Sequence, residues 1–365
     1  MKILIVDNAA MVLNKNRYYT NNLNGLFISD LIDCGHELTY FQFTNENSNN
    51  ISVFDLEKNG VKCISLTSNK NKIIRYVIAY LKIIPTIIKN DFVYFYYPNT
   101  FKFATIFCLL LNRKYGLYIR GMNGLDDVFS KIIYKNAFTI FTVSDHFTQF
   151  VNNIKSNVAH TIRPMIPYTD VDIINNRIYN KSVTNILFLG RISKDKGLSE
   201  LLDAINILKY KYNRDIFLKL VGNGEYIDEL KQRSIDLNIK DLVSFEGPVY
   251  DDDIKKKYYF ETDIYILPTY HEGFPRTLYE AMIFGTPIIT TFVGGIPALM
   301  KDGFNCKEIK PKSIESIVEG LEFAFNNYSQ MVEYAQNATK TVEKVVDSKR
   351  PTHAHHLHQI ISKLC

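Results

Sequence analysis

Asn185-Ile186-Leu187-Phe188-Leu189-Gly190-Arg191-Ile192-Ser193-Lys194-Asp195-Lys196-Gly197 packs a strand and a basic, glycine-flanked turn into one short stretch. Its apolar run is the pattern of a parallel strand buried on both faces. Helical periodicity follows from Leu198 to Tyr210, and the alternation then repeats. Strands are predicted at Ile216–Val221, Val243–Phe245, Asp263–Leu267 and Pro287–Thr290, with helices at Tyr226–Leu237, Asp252–Tyr259 and Thr277–Phe284. Strands alternating with helices predict a doubly wound sheet, which binds ligands at the carboxyl ends of its strands.

The same rhythm runs ahead of this segment. Lys2–Asp7 reads as a first strand, followed by a loop and a helix that ends at Gly35. Glu37–Phe41, Cys63–Leu66, Phe92–Tyr96, Tyr115–Ile119 and Phe138–Val143 read as further strands, and residues 44 to 60, polar and Asn-rich, as a loop. Arg163-Pro164-Met165-Ile166-Pro167 breaks the pattern and reads as a linker running to Ile178. The expectation is an α/β chain of two Rossmann-like domains, 1–165 and 166–345, with a terminal segment 346–365.

A chain of 365 residues, 46% hydrophobic and 22% charged, is ordinary in composition and long enough for two cores. The net charge of +5 is uneven: residues 1–165 carry 18 Lys and Arg against 11 Asp and Glu, and the rest carry 25 against 27. The basic first half suits an anionic lipid surface or a phosphorylated substrate, and equally a solvated face. Within it, Lys72–Lys89 is predicted helical, with Arg75, Lys82 and Lys89 at sevens and isoleucines over most of the remainder. That pattern fits a membrane-interface helix, or a core helix with one wet face kinked at Pro85. Five scattered cysteines without C-x-x-C pairing fit a reducing compartment. No signal peptide or spanning helix is expected, which suggests the cytoplasm.

Several loops at strand ends carry chemistry-bearing residues. After Gly190, Arg191 and Lys196 can clamp a diphosphate and neutralise a departing one, or simply form a solvated basic turn. Gly222-Asn223-Gly224 lets backbone approach a ligand, or simply forms a tight turn. Gly247-Pro248-Val249 can floor a base, and Gly294-Gly295-Ile296-Pro297 is another close-approach loop. His271-Glu272-Gly273-Phe274-Pro275-Arg276-Thr277-Leu278-Tyr279-Glu280 places one acid on a loop and a second on the following helix, whose free N–H groups suit an anion, or it is a capped surface helix with two solvated acids. Asp251-Asp252-Asp253 reads as a helix N-cap cluster.

The order G-R-x4-K-G, V-G-N-G, E-G-F-x5-E-A-M-x2-G-T-P and G-G-I-P over residues 185–310 resembles the nucleotide-sugar half of the family 4 retaining glycosyltransferases of GT-B fold. The resemblance implies two Rossmann-like domains facing across a cleft, the first for the acceptor and the second for the nucleotide sugar, with the last helix crossing back to the first domain. It implies that Arg191 and Lys196 bind the donor diphosphate, that Glu272 approaches the transferred sugar, and that Glu280 holds the ribose hydroxyls. Arg191, Lys196 and Glu272 are thus the catalytic candidates. Gly190, Gly222, Gly224, Val249, Gly273, Phe274, Thr277, Leu278 and Glu280 are the donor-binding candidates. No metal or cofactor is implied, the nucleoside-diphosphate sugar being a substrate.

Two positions depart from the pattern. Asn8-Ala9-Ala10 replaces a double-glycine loop after the first strand, and Arg120-Gly121 stands where relatives carry a histidine. Arg120, Asn123 and Asp126 are the acceptor-side candidates. His353, His355, His356 and His358 are expected on a solvated helix, with Leu357, Ile360, Ile361 and Leu364 as its apolar face.

The expected reaction is transfer of a sugar, hexosyl or related, with retention, to a glycan or polyprenyl-diphosphate-linked acceptor. No nucleic-acid partner is expected. Low Gly, no Trp and many Asn and Ile suggest an AT-rich bacterial genome and surface polysaccharide synthesis (lipopolysaccharide or capsule), with a peripheral place on the inner membrane face as an option. A nucleotide-sugar 2-epimerase of the same fold, or a non-catalytic sugar-nucleotide-binding partner, are the alternatives.

Overall fold

The structure is a computed structural model, and it describes residues 1–45, 52–66, 71–120, 126–179, 183–273 and 275–364. The chain divides into two compact units: Met1–Met165 with Pro351–Cys365, and Ile166–Arg350.

In chain order, the first unit holds β1 (Lys2–Val6), β2 (Met11–Asn14), β3 (Arg17–Asn21), α1 (Asn22–Asp33), β4 (Glu37–Asn45), β5 (Ser52–Asp55) and β6 (Lys62–Leu66). It continues with α2 (Lys72–Lys89), β7 (Phe92–Tyr97), α3 (Ala104–Leu110), β8 (Lys114–Ile119), α4 (Val128–Asn136), β9 (Thr139–Thr142), α5 (Asp145–Asn152) and β10 (Ala159–Thr161). Seven of its described strands run parallel in the order β6-β4-β1-β7-β8-β9-β10. The order reverses between β1 and β7, so this is the doubly wound arrangement. Every residue of β7, Phe-Val-Tyr-Phe-Tyr-Tyr, is buried, as a central parallel strand covered on both faces requires.

The second unit holds β11 (Asn185–Leu189), α6 (Leu198–Tyr210), β12 (Phe217–Val221), α7 (Ile227–Asp236), β13 (Val243–Gly247), α8 (Asp252–Phe260), β14 (Ile264–Leu267), α9 (Arg276–Ile283), β15 (Ile288–Thr291), β16 (Lys307–Ile309), α10 (Ile314–Asn326) and α11 (Tyr328–Val346). Its sheet is β13-β12-β11-β14-β15-β16, all parallel, and it reverses between β11 and β14. Asp251 caps α8 as its sequence predicts, accepting from the backbone of Asp253 and Ile254 at 2.9 and 3.0 Å.

Three sequence expectations change. The stretch after β1 is no simple loop: β2 and β3 form an antiparallel hairpin whose turn residues Lys15 and Asn16 both have left-handed backbone, φ 47° and 61°. Such a turn matches the twist of a hairpin. Part of the Asn-rich loop is strand, since β5 pairs with β3, while residues 46–51 lie outside the described ones. Helix α2 runs from Lys72 to Lys89 as predicted, with Pro85 inside it, but its outer face is mostly apolar rather than wet.

The final helix, α12 (His353–Ile361), belongs to the first unit. Ala354, Leu357 and Ile361 join the core formed by Phe27, Ile28 and Leu31 of α1. The expectation of four solvated histidines is corrected here. His353 is buried, with its Nε2 2.6 Å from the Tyr94 hydroxyl, and His358 Nδ1 lies 3.0 Å from His36 Nε2. Burial holds the His353 imidazole down to a pKa of about 3.

Candidate active site

The reversal point of the second sheet sets the loops after β11 and β14 beside each other. Asp195, in the first loop, offers its carbonyl to the Tyr270 N–H at 2.8 Å and the Thr269 hydroxyl at 3.2 Å in the second. Gly197 shows why its side chain must be absent. Its φ is +67°, and an added Cβ would lie 2.1 Å from the Pro268 carbonyl oxygen.

This junction joins residues far apart in sequence. Lys196 is largely buried, and its ammonium is hydrogen-bonded to Glu272 and lies 3.3 Å from Asp195. Arg191 lies 3.6 Å from Asp195, with its side chain mostly exposed. Burial pushes the Asp195 carboxyl up, but the Ser193 hydroxyl and the Lys196 ammonium outweigh it and hold it below the usual range. Asp195 was not singled out from sequence, although its place between the two cations is visible there.

Glu272 is held by main-chain packing as well as by its ion pair. Gly294 has φ +59°, and a Cβ there would come within 1.7 Å of the Glu272 carbonyl oxygen. Gly295 then donates to the Gly273 carbonyl at 2.7 Å. The Gly294-Gly295 loop therefore clamps the acidic loop. Close packing also occupies Gly222 and Gly224, read above either as letting backbone approach a ligand or as a tight turn. Their missing side chains make room for the carbonyls of Gly190 and Ile192, at 1.8 and 2.0 Å from the added Cβ, so the close approach is between loops. Their amides are also engaged, with the Gly247 carbonyl and the Asn223 side chain.

Helix α9 opens at Pro275, where no described side chain caps it, so its first turn presents N–H groups toward the loop ahead of it. Thr277 Oγ1 accepts from the Tyr265 hydroxyl at 2.6 Å. Leu278 is a core side chain and its amide bonds the Pro275 carbonyl at the start of the helix. Glu280 is buried, accepts from the Tyr259 hydroxyl at 2.9 Å, and has Lys255 Nζ 3.9 Å away. Burial pushes its carboxyl up, against the pull of Lys255 and of the tyrosine hydroxyl. Tyr259 and Lys255 are further residues that the sequence pattern did not mark.

Gly190 donates to the Val221 carbonyl, and Val249 packs half-buried on the core of this unit. Phe274 lies outside the described residues, as does Asn123. In the first unit, Arg120 follows β8 with its guanidinium 5.8 Å over the Tyr118 ring, and Asp126 is exposed and paired with Lys131 at 2.6 Å. Among the described residues, no three His, Cys, Asp or Glu side chains cluster as a metal site.

These loops fall within a recognisable family segment. Residues 173–341 match the model of the glycosyl transferases group 1 family. An uncharacterized glycosyltransferase of Haemophilus influenzae is 33% identical over 181 residues, which is 47% of this chain and 49% of that protein. The putative teichuronic acid biosynthesis glycosyltransferase TuaC of Bacillus subtilis is 28% identical over 178 residues, 48% of this chain and 42% of its own. The chain thus spans less than half the length of these curated relatives. The crystal structure of Anabaena Alr3699/HepE in complex with UDP matches 100% of this chain and 99% of that one, with a TM-score of 0.70 at 16% identity. The whole-chain structural likeness shows the GT-B fold, and residues 173–341 are similar to the glycosyl transferases group 1.

Proposed function

We propose that this chain is a retaining glycosyltransferase that moves a sugar from a nucleoside-diphosphate sugar to a hydroxyl of a glycan or lipid-linked acceptor. The observation that carries this reading is the Lys196–Glu272 ion pair at the sheet's reversal point, next to the uncapped start of α9. A diphosphate there meets the Lys196 ammonium, the Arg191 guanidinium and the helix N–H groups, all suited to a leaving group that gains negative charge. Drawing Lys196 onto the diphosphate releases Glu272 toward the hydroxyls of the sugar, while Glu280 takes those of the ribose. HepE, seen with UDP, and TuaC, named for teichuronic acid, support a nucleotide donor and a role in polysaccharide synthesis.

In the proposed step the bond from the anomeric carbon to the diphosphate oxygen breaks, and a bond to the acceptor oxygen forms on the same face. The acceptor proton passes to the departing phosphate. The cations and the helix N-terminus supply the positive charge, so turnover is expected to survive EDTA. The first unit takes the acceptor, with Arg120 and Asp126 as its candidates.

The test is a panel of nucleotide sugars screened by thermal stabilisation, followed by proton NMR of the product formed with the donor that stabilises. Stabilisation by one donor and a product of unchanged anomeric configuration are expected. A product of inverted configuration would exclude same-face transfer, and an isomerised free nucleotide sugar would point to epimerisation instead.

A further inference from the structure

Helix α2 has two apolar faces, and only one is used by the fold. Ala79, Ile83 and Ile87 are buried against the sheet. On the opposite side Ile73, Ile74, Val77, Ile78, Leu81 and Ile88 are all exposed, Ile73 at 75% and Leu81 at 67%. At about 100° per residue these six side chains form one continuous outer arc. Lys82 and Lys89, both exposed, follow along one border of that arc, and Arg75 comes next on the way round to the core.

The arc extends onto the neighbouring helix. Helix α3 packs beside α2, with the Tyr80 and Phe107 rings 6.0 Å apart, and it exposes Ile106, Leu109 and Leu110. An open apolar groove of about 450 Å³ runs along α2 between Ile73, Tyr76, Val77, Tyr80, Leu81 and Ile84. A contiguous apolar surface of this kind on a folded unit marks an interaction site. Its charge identifies the occupant. From Asn71 to Lys114 the sequence carries Lys72, Arg75, Lys82, Lys89, Lys102, Arg113 and Lys114 against a single acid, Asp91. Of these, Lys102 is paired with Asp127, and Arg75 lies over the Phe43 ring. Lys82, whose ammonium also reaches the Ser65 carbonyl at 3.4 Å, and Lys89 lie on the exposed border.

We infer that the outer face of α2 and α3 docks on an anionic phospholipid bilayer, with the apolar arc entering the acyl boundary and the border lysines meeting headgroup phosphates. No described helix is long and apolar enough to cross a membrane, so this would be an in-plane contact. A protein partner or a second copy of this chain would be expected to answer seven bases with carboxylates of its own. This chain's first 165 residues, with 11 acids against 18 bases, are poorly supplied to do so.

The inference stands apart from the transfer reaction, and its test needs no sugar nucleotide. The full chain is sedimented with phosphatidylcholine vesicles with and without phosphatidylglycerol, at low and high salt, and its mass is measured without lipid. Binding only to the anionic vesicles, weakening with salt, is expected. Lys82→Glu with Lys89→Glu should weaken binding by about tenfold or more, since each basic residue near an anionic surface contributes appreciably. Val77→Glu with Leu81→Glu should abolish binding while leaving the circular dichroism spectrum and melting temperature unchanged, because both side chains already face solvent. Failure of the wild type to sediment with anionic vesicles, equal binding by either double variant, or a dimer that Leu81→Glu dissociates would each overturn the inference. A chain that binds vesicles yet transfers no sugar would count against the proposed reaction alone.

Discussion

Replacing Lys196 by Met tests the proposed centre most directly, because it removes a charge and keeps most of the side-chain volume. In the structure that ammonium is bonded to Glu272, and the two side chains are only 10% and 19% exposed. Removing one partner of a buried pair costs about 3–5 kcal/mol when the survivor is fully desolvated. At this partial exposure, roughly 2–3 kcal/mol is the expected loss of stability. Binding should suffer separately: a charge-assisted hydrogen bond to a phosphate contributes about 1.5–3 kcal/mol, so a nucleoside diphosphate should bind about 10- to 150-fold more weakly.

Glu272→Gln should behave differently. It removes one of the two carboxylates that hold Lys196, Asp195 remaining at 3.3 Å, so diphosphate affinity should hold or rise while turnover falls. The double variant should recover much of the stability lost in Lys196→Met, because Glu272 is no longer an unpaired buried charge and Asp195 keeps Arg191 at 3.6 Å. Titration calorimetry with UDP, GDP, ADP and dTDP, together with thermal melts of the three variants, measures all of this. A Lys196→Met protein that binds the wild type's preferred nucleoside diphosphate equally well would refute the assignment of Lys196 to the phosphates.

Other consequences concern single positions. Glu280 has its carboxyl raised by burial, so the folded state holds its proton more tightly than the unfolded chain. The stability it contributes is present below the unfolded carboxyl range and lost as pH rises through the folded value. Glu280→Gln should therefore melt at or above the wild-type temperature at pH 7, with a flatter pH profile, while donor affinity drops. For His353, held down to about 3, the sign is opposite. Its stability is present above about pH 6.5 and lost below, at up to about 1.4 kcal/mol per pH unit; thermal melts from neutral to acidic pH should show that slope, and it should flatten in His353→Gln. Gly294→Ala should lower the melting temperature and disable transfer together, since its Cβ would strike the Glu272 carbonyl from a left-handed backbone. An active, equally stable Gly294→Ala protein would show that the clamp on Glu272 is dispensable.

The central strands were legible because a parallel sheet buried on both faces demands unbroken apolar runs, and β1, β7, β11 and β14 have them. The β2–β3 hairpin was not. Arg17-Tyr18-Tyr19-Thr20-Asn21 is mostly half-exposed, and the Lys15-Asn16 turn reaches left-handed backbone without a glycine. Strand β5 pairs with β3 at the sheet edge, where no apolar run is needed. At the candidate site the residue types were readable one by one, but their pairing was not. Lys196 and Glu272 stand 76 positions apart, and nothing in local spacing links them. The glycines were recognisable as points of close approach, while the partner in that approach, a neighbouring carbonyl, appears only once the loops are folded. The same holds for His353, which meets Tyr94 across 259 positions.

The first unit is built from both ends of the sequence, whereas Ile166–Arg350 is a single continuous segment. Thr352 reaches back to Asp30 at 2.8 Å, and Leu357 and Ile361 complete a core begun by Phe27 and Leu31. On the ribosome, the half that emerges first must therefore wait with part of its core uncovered until the second half has been made. Premature termination after Arg350 would spare the continuous unit and expose the older one, so nascent-chain quality control should act chiefly on the N-terminal half.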